Sequence, residues 1–281
     1  MEPESGFVEV NGLRLHYLEW GDAGSRPVLL LHPTGFLAWT WQPVAEALAA
    51  AGLRVLAYDA RGHGDSDKPE DAYHWQNMVD DLRGFLDRFG LRGAPVVGHS
   101  MGGGVAAYLA ANAPHYFSHL VLIEPIIIPQ GAHPEPGRRN ELAEGARRRR
   151  MVFESVNNVV ENYASRGTFE CWRPEVLRLY AQHGTFPRED GRVELKCPGE
   201  IEGQVFDNSL SLNISDAVPE ISAPVLVVRG EHTEGMLARV CEDVAKRAPD
   251  ARLVVIRGAG HMAPMEKPEE VAAEVLRFIG G

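Results

Sequence analysis

Long apolar runs are missing from this 281-residue chain. None reaches the roughly 18 residues that a membrane-spanning helix needs, so no segment is expected to cross a bilayer. The first ten residues, MEPESGFVEV, lack the basic-then-apolar layout of a secretory leader, which points to a cytoplasmic protein. Excess positive charge is also missing. The formal charge is −11, which argues against broad binding to nucleic acid or an anionic membrane surface, because phosphate contacts need basic patches. Cysteine is scarce: Cys171, Cys197 and Cys241 are odd in number and scattered. They outline neither a disulfide framework nor a paired-cysteine zinc site, as expected of a reducing compartment. Without a leader, the acceptor-like triplet Asn213-Ile214-Ser215 reads as chance. What remains is an acidic chain with 44% apolar residues, long enough for one sizeable core with an insertion.

Short apolar runs recur along it: VLLL (28–31), VLAY (55–58), PVVG (95–98), LVLI (120–123), VLVV (225–228) and LVVI (253–256). Each is continuous rather than alternating, the pattern of a strand buried on both faces. Helical periodicity lies between most of them, at 41–51, 74–89, 101–112, 236–247 and 268–279. Strand–helix alternation of this kind predicts a mostly parallel α/β sheet with right-handed crossovers. LRLHYLEW (13–20) alternates instead and predicts part of an antiparallel edge hairpin.

The interval 126–222 breaks the rhythm, and a structureless loop of that length is improbable in a compact domain. Val152, Val156, Val159, Val160 and Tyr163 share one helical stripe, and Val176, Leu177 and Tyr180 form a second between Pro174 and Gly184. The expectation is a helical cap at 126–222 inserted into a core formed by 1–125 and 223–281. Within it, RRNELAEGARRRR (138–150) carries six arginines against two glutamates. A solvated helix face is the plain reading; attraction of an anionic substrate is the sharper one.

The chemical signal sits at Gly98-His99-Ser100-Met101-Gly102-Gly103, between the PVV strand and an Ala-rich helix. A G-x-S-x-G at a strand-to-helix turn needs glycines because side chains would collide in so tight a bend. The bend lifts a serine hydroxyl clear of the sheet and faces it toward the helix N-terminus. No Gly-Lys-Ser/Thr follows, so this is not a phosphate loop.

With that motif, LLLHPTGF (29–36), YDARGHGDSDKP (58–69) and GAGHMAPMEKPEEVAAEVLRFI (258–279) occur in the order seen in the α/β-hydrolase fold family, which the chain resembles over nearly its whole length. The resemblance implies an eight-stranded, mostly parallel sheet with helices on both faces and no cofactor or metal. It implies Ser100 as nucleophile and His261, just after the last strand, as general base. It also implies an oxyanion hole of backbone N–H groups, one from Met101 and one from the HPTGF loop. Pro33 has no N–H to give, so Thr34 is the donor expected there.

Family members usually place the orienting acid after the strand read here as VLVV, but VLVVRGEHTEG has Thr233 at that position. Glu231 or Glu234 could serve from a shifted loop, or the acid could be absent. The expectation preferred here is Glu124, at the end of LVLI, resembling the layout of some haloalkane dehalogenases of this fold. That placement keeps the chain order Ser, acid, His. Dehalogenases and epoxide hydrolases of the fold use an aspartate nucleophile, whereas serine suits acyl transfer. The reading is therefore a carboxylic-ester hydrolase acting on a small molecule, with Phe36, Trp39 and Trp172 among the candidates to line an apolar acyl pocket. Alternatives are a carbon–carbon bond hydrolase or enol-lactonase acting on ring-cleavage products, a perhydrolase, or a non-catalytic small-ligand receptor.

Overall fold

Asn11 and Gly12, both in the left-handed region at φ 51° and 78°, close a two-residue hairpin between β1 (Glu4–Val10) and β2 (Leu13–Trp20). Asn-Gly suits this turn because both central residues need positive φ. The computed structural model describes residues 1–128 and 140–280. Six further strands complete the main sheet: β3 (Arg26–Leu31), β4 (Leu53–Tyr58), β5 (Ala94–His99), β6 (Phe117–Ile123), β10 (Val225–Gly230) and β11 (Ala251–Ile256). Their order is β1-β2-β4-β3-β5-β6-β10-β11, and every pairing is parallel except the two made by β2. The sheet matches the eight strands and the edge hairpin expected from the sequence.

The continuous apolar runs follow from two cores, one on each face of the sheet. Leu29, Leu31, Val96, Leu120, Leu122, Val225 and Val227 pack with α2 (Trp75–Arg88), α3 (Met101–Asn112) and α9 (Gly235–Arg247). Their neighbours Val28, Leu30, Val97, Val121, Ile123, Leu226 and Val228 pack with α1 (Gln42–Ala50) and α11 (Pro268–Ile279). Successive side chains point to opposite faces, so a strand covered on both sides must be apolar at every position. Each such side chain contributes about 1.5–3 kcal/mol on burial.

The described part of the β6–β10 connection holds α4 (Glu141–Arg148), α5 (Val156–Tyr163), α6 (Pro174–His183), α7 (Gly199–Asp207) and α8 (Ile214–Ala217). It also holds a feature the helical stripes did not predict, a small antiparallel sheet of β7 (Val152–Phe153), β8 (Thr185–Pro187) and β9 (Val193–Leu195). Val152 therefore belongs to a strand, and α5 begins only after Ser155, whose hydroxyl accepts the Asn158 N–H. Two-residue strands carry too few side chains to show a period of two.

The arginine run is neutralised locally. Arg147 pairs with Glu200 and Asp207, Arg148 with Glu144, and Arg149 with Glu202, while Arg150 lies over the Phe153 ring. Arg138 and Arg139 lie outside the described residues.

Asp59, fully buried just after β4, ties together the loops at the carboxyl ends of β3 and β4. Its carboxylate accepts the Ala38 N–H at 2.6 Å and the Asp65 N–H at 2.9 Å, and lies 2.8 Å from His16 Nδ1. Burial opposes the charge, but the His16 hydrogen bond and charge, helped by the Ala38 N–H, hold the carboxyl at about 2 against an ordinary 3.8. That gap corresponds to about 2 kcal/mol of stability. Because the folded pKa is the lower one, the contribution is complete above about pH 4 and disappears as pH falls toward 2. Asp59→Asn is expected to lose about 2 kcal/mol at pH 7 and to show a shallower loss of stability than wild type between pH 4 and 2, as read from urea midpoints.

Candidate active site

Six parallel strands end on the same edge of the sheet, and the loops leaving them carry the residues singled out in the sequence. Ser100 follows β5 at φ 54°, a conformation rare for a side chain with a Cβ. Its N–H donates to Ile123 O, and its carbonyl accepts the Gly104 and Ile126 N–H groups. The flanking glycines are sterically required. A Cβ on Gly98 would lie 2.5 Å from Gly102 O, and one on Gly102 would lie 2.6 Å from Leu31 O. The bend therefore brings strand and helix backbones into contact.

His261 leaves β11 in the Gly258–Met262 loop. Its Nδ1 lies 3.4 Å from Glu124 Oε2. Glu124 is wholly buried at the end of β6, also at positive φ (47°), and its other oxygen accepts the Gly230 N–H at 2.7 Å. His261 is its sole ion-pair partner among the described residues, so no loop arginine competes for it. The other two carboxylates lie elsewhere. Glu231 is exposed and accepts the Gly258 N–H at 2.8 Å, while Glu234 is exposed ahead of α9. Thr233 is buried, and its hydroxyl has no partner among the described residues.

The HPTGF loop is pinned at its first residue. His32 Nε2 accepts the Ala60 N–H at 2.9 Å, and Nδ1 donates to Pro33 O at 2.8 Å, which sets the neutral tautomer. Burial lowers the pKa of this ring, and burial pushes that of neighbouring His63 down to about 3. Gly35 turns at φ 84°, where a Cβ would strike the Glu202 carboxylate at 2.4 Å. Thr34 N–H donates to no group among the described residues. Met101 opens α3, where the helix itself offers its N–H no acceptor. The hydroxyl of Ser100 makes no hydrogen bond among the described residues.

Phe36, Trp172, Val176, Leu177 and Tyr180 form an apolar cluster with Met262 and Met265, which lie just after His261 in sequence. α6 thereby packs on both the loop after β3 and the loop after β11. Trp39 lies at the margin of that cluster, its ring flat against His183 at 3.6 Å.

A family model described as the alpha/beta hydrolase family matches residues 28–274. The chain belongs to this family. The hydrolase is 38% identical over 280 residues to the "AB hydrolase superfamily protein YfhM" of Bacillus subtilis, covering 97% of this chain and 96% of that one. It is 29% identical over 323 residues to "Epoxide hydrolase A" of Mycobacterium tuberculosis, covering 99% and 98%. Its fold matches the crystal structure of E-2-(acetamidomethylene)succinate hydrolase with a TM-score of 0.84 at 24% identity over the full length of both chains.

Two residues hold the backbone around His261: His99, whose motif position suggests loop packing and hydrogen bonding, and Glu266, for which the sequence suggests no role. Glu266, buried in α10 (Ala263–Glu266), accepts N–H groups on either side of the histidine, and His99 Nε2 donates to the His261 carbonyl at 2.8 Å. Glu266 was legible only as a glutamate five residues after a motif histidine; nothing local marked it as buried. Gly102→Ala is expected to lower stability by about 1–3 kcal/mol through overpacking against the β3 backbone. A thermal melt compared with that of the roomier surface variant Gly145→Ala checks this, since a Cβ at Gly145 meets nothing within 4 Å.

Proposed function

We propose that this hydrolase cleaves carboxylic esters through a Ser100–His261–Glu124 triad. The observation that carries the proposal is a serine at the tight bend after β5 together with a buried carboxylate 3.4 Å from His261 Nδ1 on the adjoining strand. Residue 100 is an alcohol, so attack on an acyl carbon gives an ester intermediate that water can clear.

In this mechanism Glu124, already oriented by the Gly230 N–H, receives the Nδ1–H of His261 and leaves Nε2 free to take the Ser100 proton. Ser100 Oγ then attacks the acyl carbon. Negative charge develops on the carbonyl oxygen, where the Thr34 and Met101 N–H groups stabilise it. Collapse expels the alcohol, which takes the proton from His261 Nε2. Water repeats the sequence on the acyl-enzyme and releases the acid. Buried Glu124 stabilises the imidazolium in both halves without becoming protonated itself.

The described part of the segment 126–222 acts as a cap over this site, and Phe36 and Trp172 form the apolar wall against which an acyl chain rests, with Trp39 at its outer margin. An apolar ester is favoured over an acidic ring-cleavage product because Arg147, Arg148 and Arg149 are each engaged by a carboxylate of the same segment. The acidic, cysteine-poor chain fits a cytoplasmic setting.

A fluorophosphonate is expected to label wild type at Ser100 and leave Ser100→Ala unlabelled, as read by peptide mass spectrometry. On p-nitrophenyl butyrate, Glu124→Gln is expected to lose on the order of 10³–10⁴ in kcat/KM, the usual consequence of removing the orienting charge. Glu231→Gln and Glu234→Gln are expected to stay within a few-fold. A folded Glu124→Gln with near wild-type activity would remove Glu124 from the mechanism, and an unlabelled wild type would favour the receptor reading.

A further inference from the structure

We infer that Glu266 and His99 are positioning residues that hold the His261 backbone in register with Ser100. The inference rests on His261 being the general base. Glu266 is buried, and no cation pairs with it among the described residues. Its two oxygens instead straddle residue 261: Oε2 accepts the Gly260 N–H at 2.7 Å and Oε1 the Met262 N–H at 3.2 Å. Its own N–H donates to Met262 O at 3.0 Å, closing the turn that places the carboxylate.

The third hold comes from the nucleophile's side. His99 is the last residue of β5, directly before Ser100, and its Nε2–H donates to the His261 carbonyl at 2.8 Å. Burial, reinforced by the nearby His261 ring, keeps the pKa of His99 well below its ordinary value. A neutral donor here ties the base to the nucleophile strand without placing a positive charge beside the imidazolium. A lysine or arginine in the same place would oppose that charge.

A loop can be held by neutral groups, and burying an unpaired carboxylate costs several kcal/mol unless hydrogen bonds compensate. A carboxylate nevertheless suits this place because it alone offers two acceptor oxygens and no donor to two N–H groups two residues apart. The substitution Glu266→Gln would turn an NH₂ toward one of them. Displacing a reacting group by about 1 Å costs on the order of 10²-fold in rate, so the grip acts on kcat and leaves substrate binding largely untouched.

The test measures kcat and KM separately for wild type, Glu266→Gln, His99→Leu and His99→Gln on p-nitrophenyl butyrate, with folding checked by circular dichroism. Glu266→Gln and His99→Leu are expected to lose roughly 10- to 100-fold in kcat with KM within about twofold. His99→Gln, which keeps a side-chain N–H of similar reach, is expected to recover most of the loss. In a His261→Ala background, Glu266→Gln is expected to cost nothing further, because residues that act through one group are not additive. Wild-type kcat in a folded Glu266→Gln and His99→Leu would overturn the inference. So would full additivity on His261→Ala, which marks a role independent of the base. If Glu266→Gln does not fold, the His99→Leu and His99→Gln pair decides, and equal kcat in those two variants counts against the grip. Should His261→Ala itself retain wild-type activity, the general-base reading fails instead.

Discussion

Glu124 is a carboxylate with no exposed surface, at the end of a strand whose last four residues are all apolar. Removing such a charge from water costs several kcal/mol unless partners replace the lost hydration. Two partners do so here, each from a different strand end: the Gly230 N–H at the end of β10 and His261 in the loop after β11. The same residue donates its own N–H to Val228 O. One side chain and its backbone thus bind the exits of β6, β10 and β11 together. Parallel topology is what makes this arrangement simple. Every parallel strand delivers its carboxyl end to the same edge, so residues more than a hundred positions apart meet without any long loop reaching across.

Around that contact the loops are held mainly by buried acceptors for backbone N–H groups. Asp59 holds Ala38 and Asp65, Glu266 holds Gly260 and Met262, and His32 holds Ala60. Loop backbone at the end of a sheet has no ladder partner, and a buried N–H left unpaired costs about as much as a lost hydrogen bond. Side-chain carboxylates and imidazoles supply what the ladder no longer can. The N–H groups of Thr34 and Met101 have no acceptor among the described residues.

The connection between β6 and β10 meets this scaffold through an aromatic surface. Phe36 contacts Trp172, Phe169 and Tyr180 at centroid separations of 5.1–5.8 Å, and the methionines that follow His261 complete the cluster. Buried aromatic area of this kind is adhesive and tolerant of small slides, because tilted ring pairs have broad geometric optima. The cluster joins the loop after β3 to the loop after β11, so motion of α6 would be felt in both.

By itself the sequence determined the parts of this hydrolase that repeat locally. Continuous apolar runs and period-3.6 stripes marked the sheet and most helices, because burial on two faces or along one stripe is written in consecutive residues. The glycines around Ser100 were legible for a similar reason: backbone contact within six residues excludes side chains. The two-residue strand β7 escaped, since Val152 fits a helical stripe as well as a strand. Only the tertiary structure decided which glutamate stands beside His261, and that Glu266 and His99 grip its backbone. Glu124 lies between LVLI and PIII, apolar flanks that point to burial, whereas nothing in the neighbours of Glu231 or Glu266 tells a buried acceptor from an exposed one. Their difference lies in strand order, which brings β6 beside β10 and directs one carboxylate inward toward Gly230 and His261.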